Sequence, residues 1–305
     1  MHTTNQKRIL LTVFTPAYNR AHTLPRTYKS LLNQDCKDFI WLIVDDGSTD
    51  NTADLVQQWK NEDNGFEIRY IYKENGGMHT AHNTAYQNID TLLNVCIDSD
   101  DCLADGAIRK IIEKWKDIEH LDYGGIIALD ADMNTSSLIG TGFPPDLTET
   151  TLSGYYASGG SGDKKLVYRT DVIRKYPEYP VFPGEKYVAL AYKYLLIDQD
   201  YKLAVLNDVL CNVEYQPDGS SRNMLLQYYR NPKGFAFWRI VNMQHPESNK
   251  RLVMDCIHYC SSSILSKNKH YIRESPYKLL TILCTPLGLL LAIAIALKVR
   301  GRKNV

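Results

Sequence analysis

Four short, apolar-rich runs mark the first hundred residues: "ILLTVF" (9–14), "IWLIVD" (40–45), "EIRYIY" (67–72) and "LLNVCID" (92–98). Each has the length and the branched and aromatic content of a strand. Between them the apolar period changes. In "TLPRTYKSLLNQ" (23–34), Leu24, Tyr28, Leu31 and Leu32 recur at helical spacing, with Thr23 as N-cap and Pro25 in the first turn. "STDNTADLVQQWK" (48–60) opens on the capping groups Ser48, Thr49 and Asp50 and carries Leu55, Val56 and Trp59 as a stripe. A third helix is expected from about Thr80. A fourth is expected in "DGAIRKIIEKWKDI" (105–118), with Asp105 as its cap before Ile108, Ile111, Ile112, Trp115 and Ile118. This alternation predicts an α/β fold with a parallel sheet covered on both faces. In such a sheet, ligands collect outside the carboxyl ends of the strands. Further on, "LAVLNDVLCNVEY" (203–215) reads as another strand and 224–275 as helices, packed on the core or near a lipid surface.

Charge and cysteine usage narrow the function classes. Lys+Arg and Asp+Glu number 35 each, so the chain lacks the basic excess of a nucleic-acid binder and no such partner is expected. Seven scattered cysteines without a CxxC pair read as reduced thiols of a cytosolic chain, not as a disulfide scaffold or zinc site. The start, "MHTTNQKRILLTVF", has too short an apolar run for a secretory signal. Near the other end, "LLTILCTPLGLLLAIAIAL" (279–297) holds no charge, and Lys278, Lys298, Arg300, Arg302 and Lys303 flank it. A bilayer crossing takes about 20 such residues. Residues 276–305 are therefore expected to associate with the cytoplasmic side of the cell membrane, lying in or dipping into an anionic leaflet. Pro286 and Gly288 are expected to weaken the middle of this run. A buried core helix is the alternative.

Every polar cluster falls at a strand end. After the first strand stands "TPAYNR", Thr15 to Arg20, where Tyr18 could stack on a flat ring or simply pack. After the second stands "VDDGSTD": Asp45 and Asp46 can accept from ring N–H groups or ribose hydroxyls, Gly47 permits the sharp turn, and an Asx-turn accounts for part of the string. After the third stands "KENGGMHTAHNTA". Its Asn75-Gly76-Gly77 turn lets backbone N–H groups approach a ligand, and His79, His82 and Asn83 orient or cap. Metal ligation by the two histidines lacks a third ligand nearby. After the fourth come Asp98, Ser99, Asp100 and Asp101, too early to cap the next helix. Carboxylates so crowded call for a cation, and Mn2+ or Mg2+, hard ions held by oxygen, suit one that also ligates a diphosphate.

Together, "TPAYNR", "VDDGSTD", "NGGMHTAHN" and "DSDD", in this order over about residues 8–130, resemble the family 2 glycosyltransferases of the GT-A fold. The resemblance implies a Rossmann-like, mixed but mostly parallel sheet flanked by helices, with a C-terminal helical, membrane-associating extension. It implies a GT-A domain over 1–222, with a nucleotide-sugar half (1–130) and an acceptor half (131–222), a helical extension (223–275) and the tail (276–305). By it, Thr15, Pro16, Tyr18, Asn19 and Arg20 belong to the nucleotide pocket, and Tyr18 with one of Asp45 and Asp46 would hold the base, usually uracil. Asn75, Gly76, Gly77, His82 and Asn83 would lie beside the nucleotide, His82 standing where the family often has arginine. Asp98, Ser99 and Asp100 would be the DxD, with Asp98 and Asp100 on the metal and Asp100 most directly.

The second half resembles a capsule- and exopolysaccharide-type subgroup through "SGDKKLVYRTDVIRKYPEYPVFPGEKY" (161–187). This implies Glu185 as general base, with Asp163 second; Ala189-Leu190 stand where the subgroup usually has Pro-Glu. A carboxylate in reach can take the proton from an attacking acceptor hydroxyl. Arg222, in "YQPDGSSRN", would meet donor phosphate or remain solvated. "QYYRNP" lacks the tryptophan of a QxxRW, so a processive synthase is not implied. The expected activity is inverting, metal-dependent transfer of a hexosyl or N-acetylhexosaminyl unit from a UDP-sugar to a saccharide hydroxyl. The acceptor is expected to be lipid-linked and the setting cell-surface polysaccharide synthesis. A homo-oligomer is compatible with this reading. Two other classes share the motifs: a nucleotidyltransferase, for which no Gly-rich basic loop stands near the N-terminus, and a catalytically silent nucleotide-sugar-binding scaffold.

Overall fold

The computed structural model describes residues 9–215 and 223–302. Nine strands form one mixed sheet among them: β1 (Leu11–Ala17), β2 (Phe39–Asp45), β3 (Glu67–Tyr72), β4 (Leu93–Cys96), β5 (Cys102–Leu103), β6 (Gly125–Asp132), β7 (Glu149–Thr150), β8 (Lys164–Arg169) and β9 (Leu203–Val213). Their order is β3-β2-β1-β4-β8-β6-β9-β5, with β7 on β9. Every residue of β1 and β2 is buried, which is why both read as continuous apolar runs rather than alternating ones. Pairs β2–β1, β3–β2 and β1–β4 are parallel, as expected for the first half. β8 then inserts antiparallel between β4 and β6, and β6 pairs parallel with β9.

The chain runs outward from β1 to β2 and β3, then returns to place β4 on the other side of β1. The crevice at the carboxyl ends of β1 and β4 is thus the topological switch point, where open α/β sheets bind ligands. Because β8 is antiparallel to both its neighbours, its first residues lie at this same edge, with the last residues of β6.

The covering helices follow the sequence pattern: α1 (Leu24–Leu32), α2 (Thr52–Lys60), α3 (Met78–Asn88) and α4 (Ala107–Ile118). α1 buries Leu24, Tyr28 and Leu31 but leaves Leu32 36% exposed, outside the expected stripe. Tyr28, Trp41 and Trp59 stack there as an aromatic layer, with ring centroids 4.4 to 5.9 Å apart. α4 buries Ile108, Ile111, Ile112, Trp115 and Ile118 as expected. Asp105 does not cap it: the N-cap is Gly106, in left-handed conformation at φ 69° and without a side-chain cap. Thr23 stands at the N-cap of α1 but makes no side-chain cap bond either.

Three short helices, α5 (Leu152–Ala157), α6 (Thr170–Lys175) and α7 (Ala191–Ile197), lie within the second half, and five follow it. These are α8 (Met224–Arg230), α9 (Pro232–Gln244), α10 (Asn249–Leu265), α11 (Tyr271–Glu274) and α12 (Lys278–Arg302). Contacts divide the chain into two units. The first comprises Met1–Asn75, Thr80–Glu178 and Lys193–Glu214; the second comprises Gly76–His79, Tyr179–Tyr192 and Tyr215–Val305.

Within the second unit, Cys256, Tyr259, Cys260 and Cys284 sit in an apolar cluster between α10 and α12. α12 runs unbroken through Pro286 and Gly288, against the expected weakening. Gly288 is where it meets α10: a Cβ there would stand 2.4 Å from the Cβ of Cys260, so only glycine permits the approach. On the other side of α12, Leu279, Leu283, Leu287, Leu290 and Leu297 are more than half exposed.

Candidate active site

The first-unit edge is built by stitching the loops after β1 and β2. Asn19 adopts φ 53°, a left-handed conformation that asparagine tolerates better than most residues. Its backbone N–H donates to Ser48 Oγ at 2.9 Å and its Oδ1 accepts from the Thr49 N–H at 2.8 Å. The Arg20 N–H donates to Thr52 Oγ1 and the Ala21 N–H to Asp50. "YNR" and "DDGSTD" therefore hold one another, which leaves Tyr18 47% exposed at the rim. Gly47, at φ 85°, brings its turn so close to Asn75 that a Cβ would lie 2.8 Å from the Asn75 nitrogen.

The adjacent acids Asp45 and Asp46 have different partners. Asp45 is fully buried and accepts from the Ser48 N–H at 2.7 Å and the Tyr70 hydroxyl at 2.6 Å. Burial, then Asp45 itself, pushes the Tyr70 hydroxyl well above the usual phenol range, so Tyr70 stays a donor. Asp46 accepts from Lys73 Nζ at 2.5 Å, and that ammonium also reaches Thr80 Oγ1 at 2.8 Å. Tyr70 and Lys73 are partners that the sequence reading did not find.

Across the switch point stand Asp98 and Asp100, both half-buried. Burial raises Asp100 above the ordinary carboxyl range, Asp98 adds to the rise, and the positive charge of Arg20 opposes it. Arg20, in the loop after β1, thus acts electrostatically on Asp100 in the loop after β4. Arg26 donates to the Asp100 carbonyl and to the Glu214 carboxylate, tying the loop down. Asp101 is not on the rim: it is 4% exposed and accepts from the Glu214 N–H, and burial pushes it to about 8.

Several expected nucleotide contacts lie behind the edge instead. Thr15 is fully buried and accepts from the Trp41 indole N–H at 3.0 Å, and Pro16 is buried beside it within β1. Ser99 and Asn83 are buried at 5% and 8% exposure. His82, 1% exposed, packs edge-on against Phe14 at 5.0 Å. Its Nδ1 is 3.1 Å from the Tyr86 hydroxyl and its Nε2 is 3.7 Å from Cys96 Sγ, which in turn donates to Asp98 Oδ1 at 3.7 Å. His82 is therefore a support behind Asp98 rather than a substitute for an exposed arginine.

Gly76, Gly77 and Glu185 belong to the second unit. Gly77, at φ 94°, lies against the Lys186 carbonyl, where a Cβ would stand 2.1 Å away. Glu185 accepts from the backbone N–H groups of Lys233 at 3.0 Å and Gly234 at 2.9 Å, so both its oxygens anchor the first turn of α9. Asp163 is exposed in the first unit, just before β8. Arg222 lies outside the described residues.

The sequence reading also passed over two charged residues at this edge. Asp130, near the end of β6, is 3% exposed, and the ammonium of Lys165, on β8, stands 3.9 Å from its Oδ1. An acid ending the apolar run "GGIIALDAD" carries the same signature as Asp98 and could have been found by the same rule.

Among the described residues no three His, Cys, Asp or Glu side chains are grouped to hold a metal. Two half-buried carboxylates of a DxD nevertheless fit a hard dication that takes its remaining ligands from a diphosphate and water. Burial first and then the neighbouring Asp98 disfavour the Asp100 carboxylate, and such an ion would offset both.

Solved structures share the fold. TarS of Staphylococcus aureus, solved with UDP-GlcNAc, superposes with a TM-score of 0.59 at 18% identity, covering 90% of this chain and 79% of that one. A mannosyltransferase from Pyrobaculum calidifontis, solved with GDP-Man and Mn2+, gives 0.51 at 17% identity, covering 96% and 81%. Likenesses at such identities establish the GT-A fold. In sequence, a putative teichuronic acid biosynthesis glycosyltransferase of Bacillus subtilis, TuaG, is 34% identical over 104 residues, or 34% of this chain and 41% of that protein. The chain spans less than half the length of that relative and a smaller share of longer ones. The family model for glycosyl transferase family 2 matches residues 12–175, more than half of the chain, and with the strand-end motifs it covers, the chain belongs to glycosyl transferase family 2.

Proposed function

We propose that the protein transfers one sugar from a nucleoside diphosphate donor, a UDP-sugar, to a saccharide hydroxyl in the synthesis of a cell-surface polysaccharide. The observation that carries this reading is that the loops after β1 and β4 share the sheet's switch point, one with Tyr18 exposed and Arg20 close enough to act on Asp100, the other with Asp98 and Asp100 half-buried. An exposed aromatic ring suits a base, and a cationic group between base and acids suits a diphosphate. Asp45, held by Tyr70 and Ser48, is preset to accept from the base or ribose. The teichuronic acid relative and the UDP-GlcNAc-bound TarS support the substrate class.

Asp98 and Asp100 would hold Mn2+ or Mg2+, which when bound neutralises the charge developing on the departing diphosphate. The chain's own groups orient the donor so that an acceptor hydroxyl attacks the anomeric carbon from the opposite side, inverting it in one displacement. Glu185 is the proposed base for the hydroxyl proton, and Asp163 the second candidate. The exposed leucine face of α12, with Lys278, Lys298 and Arg300 at its ends, suits an anionic cytoplasmic leaflet and hence a lipid-linked acceptor. Product analysis with a UDP-sugar and a saccharide acceptor tests the class. Release of UDP with an extended acceptor is expected, whereas pyrophosphate release would point to nucleotidyl transfer and bound but unreacted donor to a scaffold.

A further inference from the structure

Lys165 stands where the sheet gathers acids. In the β6–β8 register Lys165 pairs with Ala128, so its side chain and that of Asp130, two residues along β6, share one face. In the β4–β8 register Val167 pairs with Val95. Continuing that ladder by two residues brings Lys165 beside the end of β4, where the DxD begins. The side chain is only 12% exposed, and its nitrogen is 3.9 Å from an Asp130 oxygen that makes no hydrogen bond. Burial works against its charge, yet Asp130 first, then Cys211, Asp101 and Asp98, outweigh burial and hold the ammonium above its ordinary value. A built-in cation thus already sits among these carboxylates before any metal arrives.

We propose that Lys165 is a positioning residue that serves as resident counter-ion to the acidic nest, making capture of the divalent ion conditional on the donor's diphosphate. The inference rests on the reading of Asp98 and Asp100 as metal ligands. With Lys165 in place, Asp130 is compensated from within, and the two rim carboxylates alone hold a dication weakly. The diphosphate supplies the missing negative charge and oxygen ligands. Without Lys165 the nest is one positive charge short, and a dication is the natural replacement.

The test is Mn2+ binding, followed by calorimetry or by the free-ion EPR signal, to the full chain with and without UDP. In the native protein, Mn2+ alone is expected to bind weakly and UDP to tighten it strongly. Lys165→Met is expected to bind Mn2+ alone at least about tenfold more tightly, with the enhancement by UDP reduced by a similar factor. Lys165→Arg should behave as native, and Asp130→Asn with Lys165→Met, which restores the charge balance, should return Mn2+ affinity toward the native value. A folded Lys165→Met protein with native Mn2+ affinity overturns the proposal, because a merely structural lysine lowers stability without creating a cation site. If Lys165→Met does not fold, Asp130→Asn alone reads the same balance with opposite sign: Mn2+ binding in the presence of UDP should weaken several-fold, and no change overturns the proposal. Native UDP binding indifferent to Mn2+ and to Asp100→Ala would instead remove the metal reading on which the inference rests.

Discussion

Tyr70 and Lys73 give the two acids after β2 different duties. Lys73 pairs with Asp46, whereas the Tyr70 hydroxyl and the Ser48 N–H align Asp45 as an acceptor. Tyr70→Phe should therefore weaken UDP binding by about tenfold or more, the worth of one hydrogen bond to a carboxylate, with kcat at saturating donor little changed. Glu185 can be parsed in the same way, because its two oxygens anchor α9. If it is also the base, Glu185→Gln should lower kcat by at least about a hundredfold, while the melting temperature falls only by what the loss of one of its two anchoring bonds costs. A Gln variant with near-native kcat would leave Glu185 as an anchor and turn attention to Asp163. The acidic cluster after β4 was legible because three acids close an apolar run, but its division was not: Asp98 and Asp100 stay half-buried while Asp101 turns inward to accept from the Glu214 N–H. The burial of Thr15 and His82 was not legible, because a motif reports which residues recur together, not which reach the surface: Thr15 accepts from Trp41, and His82 lies beside Tyr86 and Cys96.

At the scale of elements, β2, buried throughout, was expected over 40–45 and occupies Phe39–Asp45, whereas β1, buried as completely, was expected over 9–14 and runs Leu11–Ala17, because an apolar run does not mark where strand pairing ends. β3 was expected over 67–72 and occupies Glu67–Tyr72. The two-residue strands β5 and β7 carry no periodicity and were invisible. The unbroken course of α12 through Pro286 was likewise hidden, because packing on α10, not local propensity, decides it. α10 itself carries a titration signal. Asp255, 1% exposed, meets Arg239 of α9 at 2.5 Å, and His258 lies one turn on. Burial, and then Arg239, lower His258 to about 4 from an ordinary 6.5. The folded state therefore favours neutral imidazole, and the unfolded chain takes up the proton first as pH falls. The associated stability is fully present above about pH 6.5 and is lost as pH falls toward 4. A melting temperature that declines through this window, with a shallower decline in His258→Gln, is expected; identical profiles would contradict it.

For the whole molecule, the sequence conveyed the mixed sheet with its strand-end ligand edge and the apolar C-terminal segment. It did not convey that residues 76–79 and 179–192 group with the C-terminal helices, because such grouping depends on contacts distant in sequence. The exposed leucines of α12 predict flotation of the protein with anionic vesicles. Leu283→Glu with Leu290→Glu should abolish flotation while leaving turnover of a water-soluble acceptor unaffected. Undiminished flotation of that variant would assign membrane contact elsewhere. The central claim is that Asp98 and Asp100 present a divalent ion to a UDP-sugar, and the most direct test is release of UDP from a panel of nucleotide sugars in Mn2+, Mg2+ or EDTA. Release from one donor, lost in EDTA and reduced at least about a thousandfold in a stably folded Asp100→Ala protein, is the expected result. Release that persists in EDTA and in Asp100→Ala would contradict the account.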